Sequence, residues 1–204
     1  MDHARDVLDY WFGREPFDLA TLRERMGFWF GGDRDGAARD ADLRRRFGPL
    51  VERAVAGELD AWAASPNQRL ALILLLDQFP RNIHRRKPAA FAGDDRALAL
   101  TLEGRMQAAD AMLEPVRRIF FYMPLQHSEQ PEVQDESVTA FRRLRDEAPA
   151  SLQPVFDDCL AFAERHREIV RRFGRFPHRN AILGRTHTRE EREWLLSDGE
   201  SFGQ

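Results

Sequence analysis

Residues 66–82 read PNQRLALILLLDQFPRN and contain the longest apolar run of the chain, Leu70–Leu76. Pro66 suits the first turn of a helix, where its missing N–H is not needed. A helix that is apolar on nearly every side is normally buried, so we expect residues 66–79 to form the central helix of the fold. The apolar run is far too short to cross a bilayer. Pro80 is expected to end the helix, because proline lacks an N–H and clashes with the preceding turn.

Outward from this segment, apolar residues recur at steps of three and four, and strand-like alternation between turns does not appear. Gly48-Pro49 predicts a kink or break in the third helix. The pattern predicts helices that begin near Val7, Leu19, Asp35, Asp94, Pro115, Ser128 or Gln130, and Ser151, and a last one opened by a Thr188/Glu191 capping box. The sequence therefore predicts an all-α fold, in one helical domain over residues 1–204.

Charge and cysteine content exclude several classes of protein. The chain carries 31 basic and 34 acidic residues, a net charge of -3 that is mixed throughout, which argues against a general nucleic-acid binder. Cys159 is the single cysteine, so neither an intrachain disulfide nor a cysteine-based metal site can form. With no secretory signal and no membrane span, we expect a cytoplasmic protein. No cofactor motif is present, and a protein partner and the oligomeric state stay open.

Asp77 is the first polar residue in an apolar setting. Ile73 and Leu70, four and seven residues before it, place Asp77 on the stripe that faces the core. If the helix ends at Pro80, Asp77 also lies in the last turn, where the helix dipole disfavours an anion. Both effects call for a cationic partner, most simply Arg81 one turn later. A structural ion pair is the simpler explanation of Asp77, and a catalytic carboxylate is the alternative.

Two histidines also stand out. His166 lies on an apolar stripe of the helix predicted from Ser151, where it is either a hydrogen-bonded core histidine or a general acid/base. Ser128 is expected to cap a helix, which leaves His127 just before the helix and Glu129 in its first turn. Gln134 should point inward from the same helix. Asp94 is interpreted as the N-cap of the helix that follows it, with no catalytic role.

Residues 171–185 combine glycine, proline, aromatic residues and several arginines in one loop. Such a loop can hold a carboxylate or phosphate, although helix capping and surface solvation explain it equally well. We predict that His127, His166, Arg175 and Arg179 meet at one cavity. A nitrogen/oxygen metal site from His127, Glu129, His166 and Asp77 is not favoured, because spacing alone does not bring them together.

Five ordered blocks carry a resemblance to a known family. They are LDYWFG at 8–13, LDQFPRN at 76–82, FAGD at 91–94, MPLQHSE at 123–129 and RFGRFPHRN at 172–180. From about Val7 to Phe202 the chain resembles the bacterial family catalogued as domain of unknown function 924. The resemblance implies a tetratricopeptide-repeat-like α–α superhelix of stacked helical hairpins. It implies no activity, since the family is named for having none known.

The inward polar residues favour a pocket for a small anionic molecule, with a histidine as general acid/base if the protein is an enzyme. The alternative is a helical scaffold that binds a protein or peptide without catalysis, and a domain without any ligand is a third possibility. The candidate catalytic residues are His127, His166 and Asp77. The candidate ligand-binding residues are Gln78, Arg81, Asn82, Glu129, Gln134, Arg175, His178, Arg179 and Asn180.

Overall fold

The computed structural model describes residues 3–13, 15–31, 36–197 and 199. Within these residues the secondary structure is entirely helical, which confirms the all-α prediction. Residues 32–35, which include the predicted helix start at Asp35, lie outside the described residues. So do both ends of the predicted domain, at 1–2 and 200–204.

Short turns, several of them 3₁₀, connect the helices. The helices are α1 (His3–Phe12), α2 (Leu19–Phe30), α3 (Gly36–Val55), α4 (Pro66–Ile73), α5 (Phe79–Ile83), α6 (Asp94–Met106), α7 (Pro115–His127), α8 (Pro131–Glu147), α9 (Gln153–Phe173) and α10 (Arg189–Ser197). Brief connections between α7, α8 and α9 bring these three side by side. The tetratricopeptide-repeat-like arrangement itself stays a prediction.

The α4 segment occupies the centre, as its composition predicts. Every side chain of Leu70–Leu76 is fully buried. Helices α1, α6 and α7 pack around α4, and α3 packs on α5. Aromatic rings fill the adjoining core, where Trp29 meets Phe120 edge-on with ring centroids 4.6 Å apart. Ser65 accepts a hydrogen bond from the Gln68 N–H and so caps α4, with Pro66 in its first turn.

Pro80 does not end this helix, contrary to the expectation from sequence. One π-helical turn, Leu74–Gln78, joins α4 directly to α5, and the Phe79 N–H donates to the Leu74 carbonyl five residues earlier. The wider turn makes room for the proline ring. It also tolerates the loss of the backbone hydrogen bond that proline cannot donate. Asp77 therefore lies inside a continuous helical rod, and the argument from an adverse helix end does not apply to it.

Other predicted boundaries hold in part. Gly48-Pro49 does not break α3, which runs as one helix through Val55, and a kink there stays a prediction. Of the two predicted starts of α8, Ser128 is wrong, because its N–H bonds back to the Leu125 carbonyl and it ends α7. The alternative is confirmed, since Gln130 is the N-cap of α8, which begins at Pro131. Asp94 is the first residue of α6 rather than its N-cap. Its carboxylate binds Arg81 and does not cap the helix. The capping box is confirmed, because Thr188 and Glu191 bond reciprocally to each other's backbone N–H.

Among the described helices, none is both long enough and apolar enough to cross a membrane.

Candidate functional site

A cavity of about 450 Å³ opens between α2, the π turn with α5, α7 and α9. Its volume lies within the range of small-molecule sites. The wall combines polar and apolar side chains. The polar residues are Arg39, Gln78, Arg81, Asn82, Arg85, Gln126, His127 and His166, and the apolar residues are Met26, Trp29, Phe30, Ile119, Met123, Phe141, Cys159 and Phe162.

Asp77 is completely buried and lies behind the cavity wall, bonded to Arg81, His127 and Gln78. Its Oδ1 lies 3.1 Å from Nη1 of Arg81, so the predicted pair one turn apart is present. Its Oδ2 accepts a hydrogen bond from the Gln78 side chain at 2.5 Å. Burial alone would raise the pKa of Asp77, but Arg81 and His127 hold it below its usual range. Asp77 is therefore an anion in the folded protein at neutral pH.

Arg81 joins Asp77 to a second carboxylate. Its two terminal nitrogens donate to the two oxygens of Asp94 at 2.7 and 2.8 Å, a bidentate arrangement. Burial would lower the pKa of Arg81, but Asp77 and Asp94 hold it above its usual range. Arg179 approaches the same Asp94 carboxylate at 3.6 Å. Arg81 of the LDQFPRN block and Arg179 of the RFGRFPHRN block thus meet at Asp94, which was predicted only to cap a helix.

Gly93 makes this arrangement possible. A Cβ at position 93 would lie 2.4 Å from the carbonyl oxygen of Leu76 and 2.9 Å from its Cα. Only glycine allows the start of α6 to approach the π turn so closely. The contact sets Asp94 beside Arg81.

His127 is the last residue of α7, rather than a residue that precedes a helix. Its Nδ1 lies 2.7 Å from Oδ1 of Asp77. Burial, and then the charge of Arg81, lower the pKa of His127 although Asp77 opposes them. The ring is neutral at pH 7, and because an ionised carboxylate only accepts, the ring proton lies on Nδ1. Nε2 is then the basic nitrogen of a ring that lines the cavity.

His166 faces the interior from α9 and lines the same cavity. Its Nδ1 lies 2.8 Å from the Phe162 carbonyl oxygen and 3.2 Å from Nε2 of Gln126, so Nδ1 donates to the carbonyl in one tautomer and accepts from the amide in the other. Burial, followed by the nearby His127, lowers the pKa of His166 well below its usual value. The ring centroids of His127 and His166 are 6.3 Å apart, so the predicted meeting of these two histidines is observed.

Gln78 and Asn82 connect the cavity wall to the helical rod. The Asn82 amide donates to the Gln78 carbonyl at 2.9 Å and its oxygen accepts from Arg85 at 3.2 Å. Arg85 in turn donates to Asp40 on α3 at 3.1 Å. These bonds fix Arg85 at the edge of the cavity.

Glu129 and Gln134 lie outside the cavity wall. Glu129 accepts from both terminal nitrogens of Arg185, at 2.6 and 2.9 Å, and from the Phe176 N–H at 2.8 Å. Gln134 is fully buried, and its amide donates to the Gln126 carbonyl at 2.8 Å and the Ser128 carbonyl at 2.6 Å. Both residues hold the end of α7 against its neighbours.

The arginines of the 171–185 loop do not join the histidines at the cavity, which corrects the expectation of one shared site. Arg175 is bound at 2.6 and 2.9 Å to Glu191 of α10. Arg179 is turned toward Asp94 and lies over the Phe176 ring, 4.5 Å from its centroid. Arg175 is bound to Glu191 and Arg179 shares Asp94 with Arg81, and neither guanidinium is part of the cavity wall.

The remaining two loop candidates are also held away from the cavity. Burial, and then Arg179, lower the pKa of His178 to about 3, so this ring is neutral. Asn180 is fully buried and its amide donates to Glu191 at 3.2 Å. The loop thus stands beside the site as a support for Asp94 and for α10.

Sequence reasoning missed part of the wall. Arg39 and Arg85 carry no motif signal, because each lies on a helix or turn with an ordinary polar pattern. Gln126 lies inside the MPLQHSE block but was not predicted to be a site residue. The apolar residues of the wall come from α2, α7, α8 and α9, which were assigned only to the core. Only the structure shows that Phe30 and Phe162 are 44% and 40% exposed.

Within the described residues, no three side chains of His, Cys, Asp or Glu come together in a way that could hold a metal ion. Cys159 is one of the apolar residues of the cavity wall and carries a free thiol. Burial raises the pKa of Cys159 to about 12, so it is protonated at neutral pH and a poor nucleophile.

Comparison with known proteins agrees with the resemblance seen in the sequence. Residues 7–199 match the family model described as bacterial protein of unknown function (DUF924), and the chain belongs to that family. It is similar to a solved structure from Agrobacterium tumefaciens, the protein of unknown function ATU0120, with 36% identity and a TM-score of 0.78. The match covers 95% of this chain and 96% of that one. A search of curated proteins found no match.

Proposed function

We propose that this family member binds a small organic anion in the cavity, beside Arg81 and Arg85 of its wall. The observation that supports the proposal is the arrangement of charge. Among the described residues, the wall carries arginines and no carboxylate, while Asp77, Asp94 and Asp40 lie behind the groups that they bind. A ligand therefore meets positive charge first.

We further propose that His127 acts as a general acid/base on that ligand. A carboxylate that accepts from one ring nitrogen orients the imidazole and stabilises the imidazolium that forms when the other nitrogen takes a proton. Asp77 stands in this relation to His127. A base must be unprotonated before it acts, and the lowered pKa of His127 meets that requirement at neutral pH. His166 lies beside it as a second neutral ring.

The binding part is tested by calorimetric titration of the parent and of Arg85→Gln with small carboxylates and phosphates. Arg85→Gln should weaken binding about tenfold, because a hydrogen bond to a charged group contributes roughly 1.5–3 kcal/mol. Arg96→Gln is the matched control: its side chain is 38% exposed against 35% for Arg85, and it also pairs with one aspartate, but it lies outside the cavity.

Arg96→Gln should bind as the parent does. If no anion in the panel binds the parent, the anion proposal fails and a protein- or peptide-binding scaffold becomes the leading explanation. If both variants lose affinity equally, the effect is long-range charge, and the cavity is not the site.

The catalytic part is tested by nitrogen-15 NMR of the His127 ring as the pH is varied. We expect protonation on Nδ1 and a pKa below 6.5, the ordinary value for histidine. In Asp77→Asn the neutral ring should lose its preference for the Nδ1 proton, since an amide can donate as well as accept. A parent spectrum with the proton on Nε2 would exclude His127 as the base.

A further inference from the structure

The side-chain amide of Gln78 has a fixed orientation in the cavity wall. Its Nε2 donates one hydrogen to Asp77 Oδ2 at 2.5 Å and the other to Met123 Sδ at 3.1 Å. An ionised carboxylate only accepts, so the amide cannot be turned the other way round. Its Oε1 accepts no hydrogen bond from the described residues and is not sealed off by them. Because Gln78 lines the cavity, Oε1 is an acceptor that a ligand can reach.

His127 presents a second acceptor to the same cavity. Its Nδ1 proton points at Asp77 Oδ1, so Nε2 carries the lone pair. This nitrogen likewise has no partner in the described part of the chain and is not enclosed by it. One carboxylate orients both groups, since Oδ2 of Asp77 holds the Gln78 amide and Oδ1 holds the His127 ring. The two acceptors are therefore fixed neighbours.

Two fixed acceptors in a largely buried wall restrict what can fill the cavity. Gln78 is 6% exposed, and the His127 side chain is 14% exposed. A ligand that covers them takes both atoms out of water, and an acceptor left without a donor there costs free energy. A ligand that fits the wall therefore supplies a donor to each.

From this pair of acceptors we infer that the ligand is a hydroxy acid with at least two hydroxyl groups. One hydroxyl donates to Gln78 Oε1 and the other to His127 Nε2. A hydroxyl also accepts, so it suits the arginine N–H groups of the same wall, whereas an ammonium group can only donate. This inference rests on the proposed function and names the ligand class for the same site.

The experiment titrates the nitrogen-15-labelled full chain at pH 7.5 with propionate, lactate and glycerate, the last two in both enantiomers. All three probes have three carbons and one carboxylate, so only the number of hydroxyls changes, from none to one to two. Backbone amide signals follow binding even when it is weak. Each hydroxyl should tighten binding about two- to tenfold in the better enantiomer, the range expected for one hydrogen bond.

Gln78→Met keeps the length of the side chain and removes its acceptor. It should lower the preference for glycerate over propionate about two- to tenfold and leave the affinity for propionate itself unchanged. A general disturbance of the site would weaken both probes alike. Gln153→Met is the control, because the Gln153 amide also donates to a backbone carbonyl, at 2.6 Å, but lies outside the cavity. It should keep the preference of the parent.

The outcomes separate this inference from the proposed function. If propionate binds and neither hydroxy acid binds more tightly, the hydroxy-acid class is wrong while the anion site stands. Alanine is a fourth probe, and tighter binding of alanine than of glycerate would show that the donor is an ammonium group. A preference for glycerate that survives in Gln78→Met, or that Gln153→Met reduces equally, removes Gln78 from the site. The series in the parent decides the ligand class even if Gln78→Met does not fold. Failure of every probe to bind counts against both proposals.

Discussion

Replacing Asp77 with alanine removes the group on which the buried polar cluster depends. Its carboxylate is completely buried and bonded to three side chains, Arg81, His127 and Gln78. Each of these would lose the acceptor that Asp77 provides. Arg81 is the most affected, because a cation would remain buried with one carboxylate, Asp94, in place of two.

The expected loss of stability follows from the number of carboxylates that remain beside Arg81. Removing one partner of a buried ion pair costs roughly 3–5 kcal/mol. Because Arg81 keeps its bidentate bonds to Asp94, we expect Asp77→Ala to lie at the lower end, a loss of about 3 kcal/mol in the free energy of unfolding. For a chain of this length each kcal/mol lowers the melting temperature by about 2–4 °C, so the shift should be about 6–12 °C.

Urea unfolding, followed by tryptophan fluorescence, measures this free energy. Asp146→Ala is the control, because Asp146 is 59% exposed and pairs with the half-exposed Arg145. An exposed pair contributes about 0–1 kcal/mol, so the control should unfold close to the parent. If the two variants lose the same free energy of unfolding, the buried pair of Asp77 stabilises the fold no more than an exposed pair does.

The dependence on pH gives a second measurement. The pKa of Asp77 is lowered in the folded protein relative to about 3.9 in the unfolded chain. Its charge therefore stabilises the fold at all pH values above about 4, and the contribution is lost as pH falls further. The difference in unfolding free energy between the parent and Asp77→Asn should be constant from pH 5 to 8 and shrink below pH 4. A constant difference of under about 0.5 kcal/mol across this range would refute the reasoning.

Three further outcomes are expected. Gly93→Ala should destabilise the fold by roughly 1–3 kcal/mol in urea unfolding, because the added Cβ meets the Leu76 backbone. Gly48→Ala is the control: its nearest contact is at 4.0 Å, so it should be neutral or stabilising. Cys159 should react with iodoacetamide at neutral pH only in urea, since burial raises its pKa to about 12; rapid alkylation of the folded protein would contradict the buried thiol. The phenol of Tyr122 should ionise at about pH 12 in an absorbance titration, because it is buried and donates to Asp110; an ordinary value near 10 would mean that this bond is absent.

Sequence was sufficient wherever neighbours along the chain decide the structure. Leu70–Leu76 identified the buried helix, and the Thr188/Glu191 capping box identified the start of α10, because both patterns act within a few residues. The pair of Asp77 and Arg81 is of the same kind, since residues four apart on a helix meet on one face.

Tertiary structure overrode local rules at the π turn. Pro80 ends a regular helix on local grounds, but burial of Leu74–Gln78 on all sides favours a continuous helical rod, and a wider turn makes the rod compatible with proline. The same applies to Asp94, which a local rule assigns to a cap and which Arg81 instead holds through two hydrogen bonds.

The sequence alone determined the helical class, the position of the central helix and which buried polar residues required partners. Only the tertiary structure decided which partners they found: His127 reaches Asp77 across 50 positions, and Arg175 is taken by Glu191 and so does not reach the cavity. The physical reason is that periodicity shows which face of a helix is buried, while the pairing of buried charges depends on which helices pack together. That choice is made by the whole core and is not contained in any single stretch of sequence.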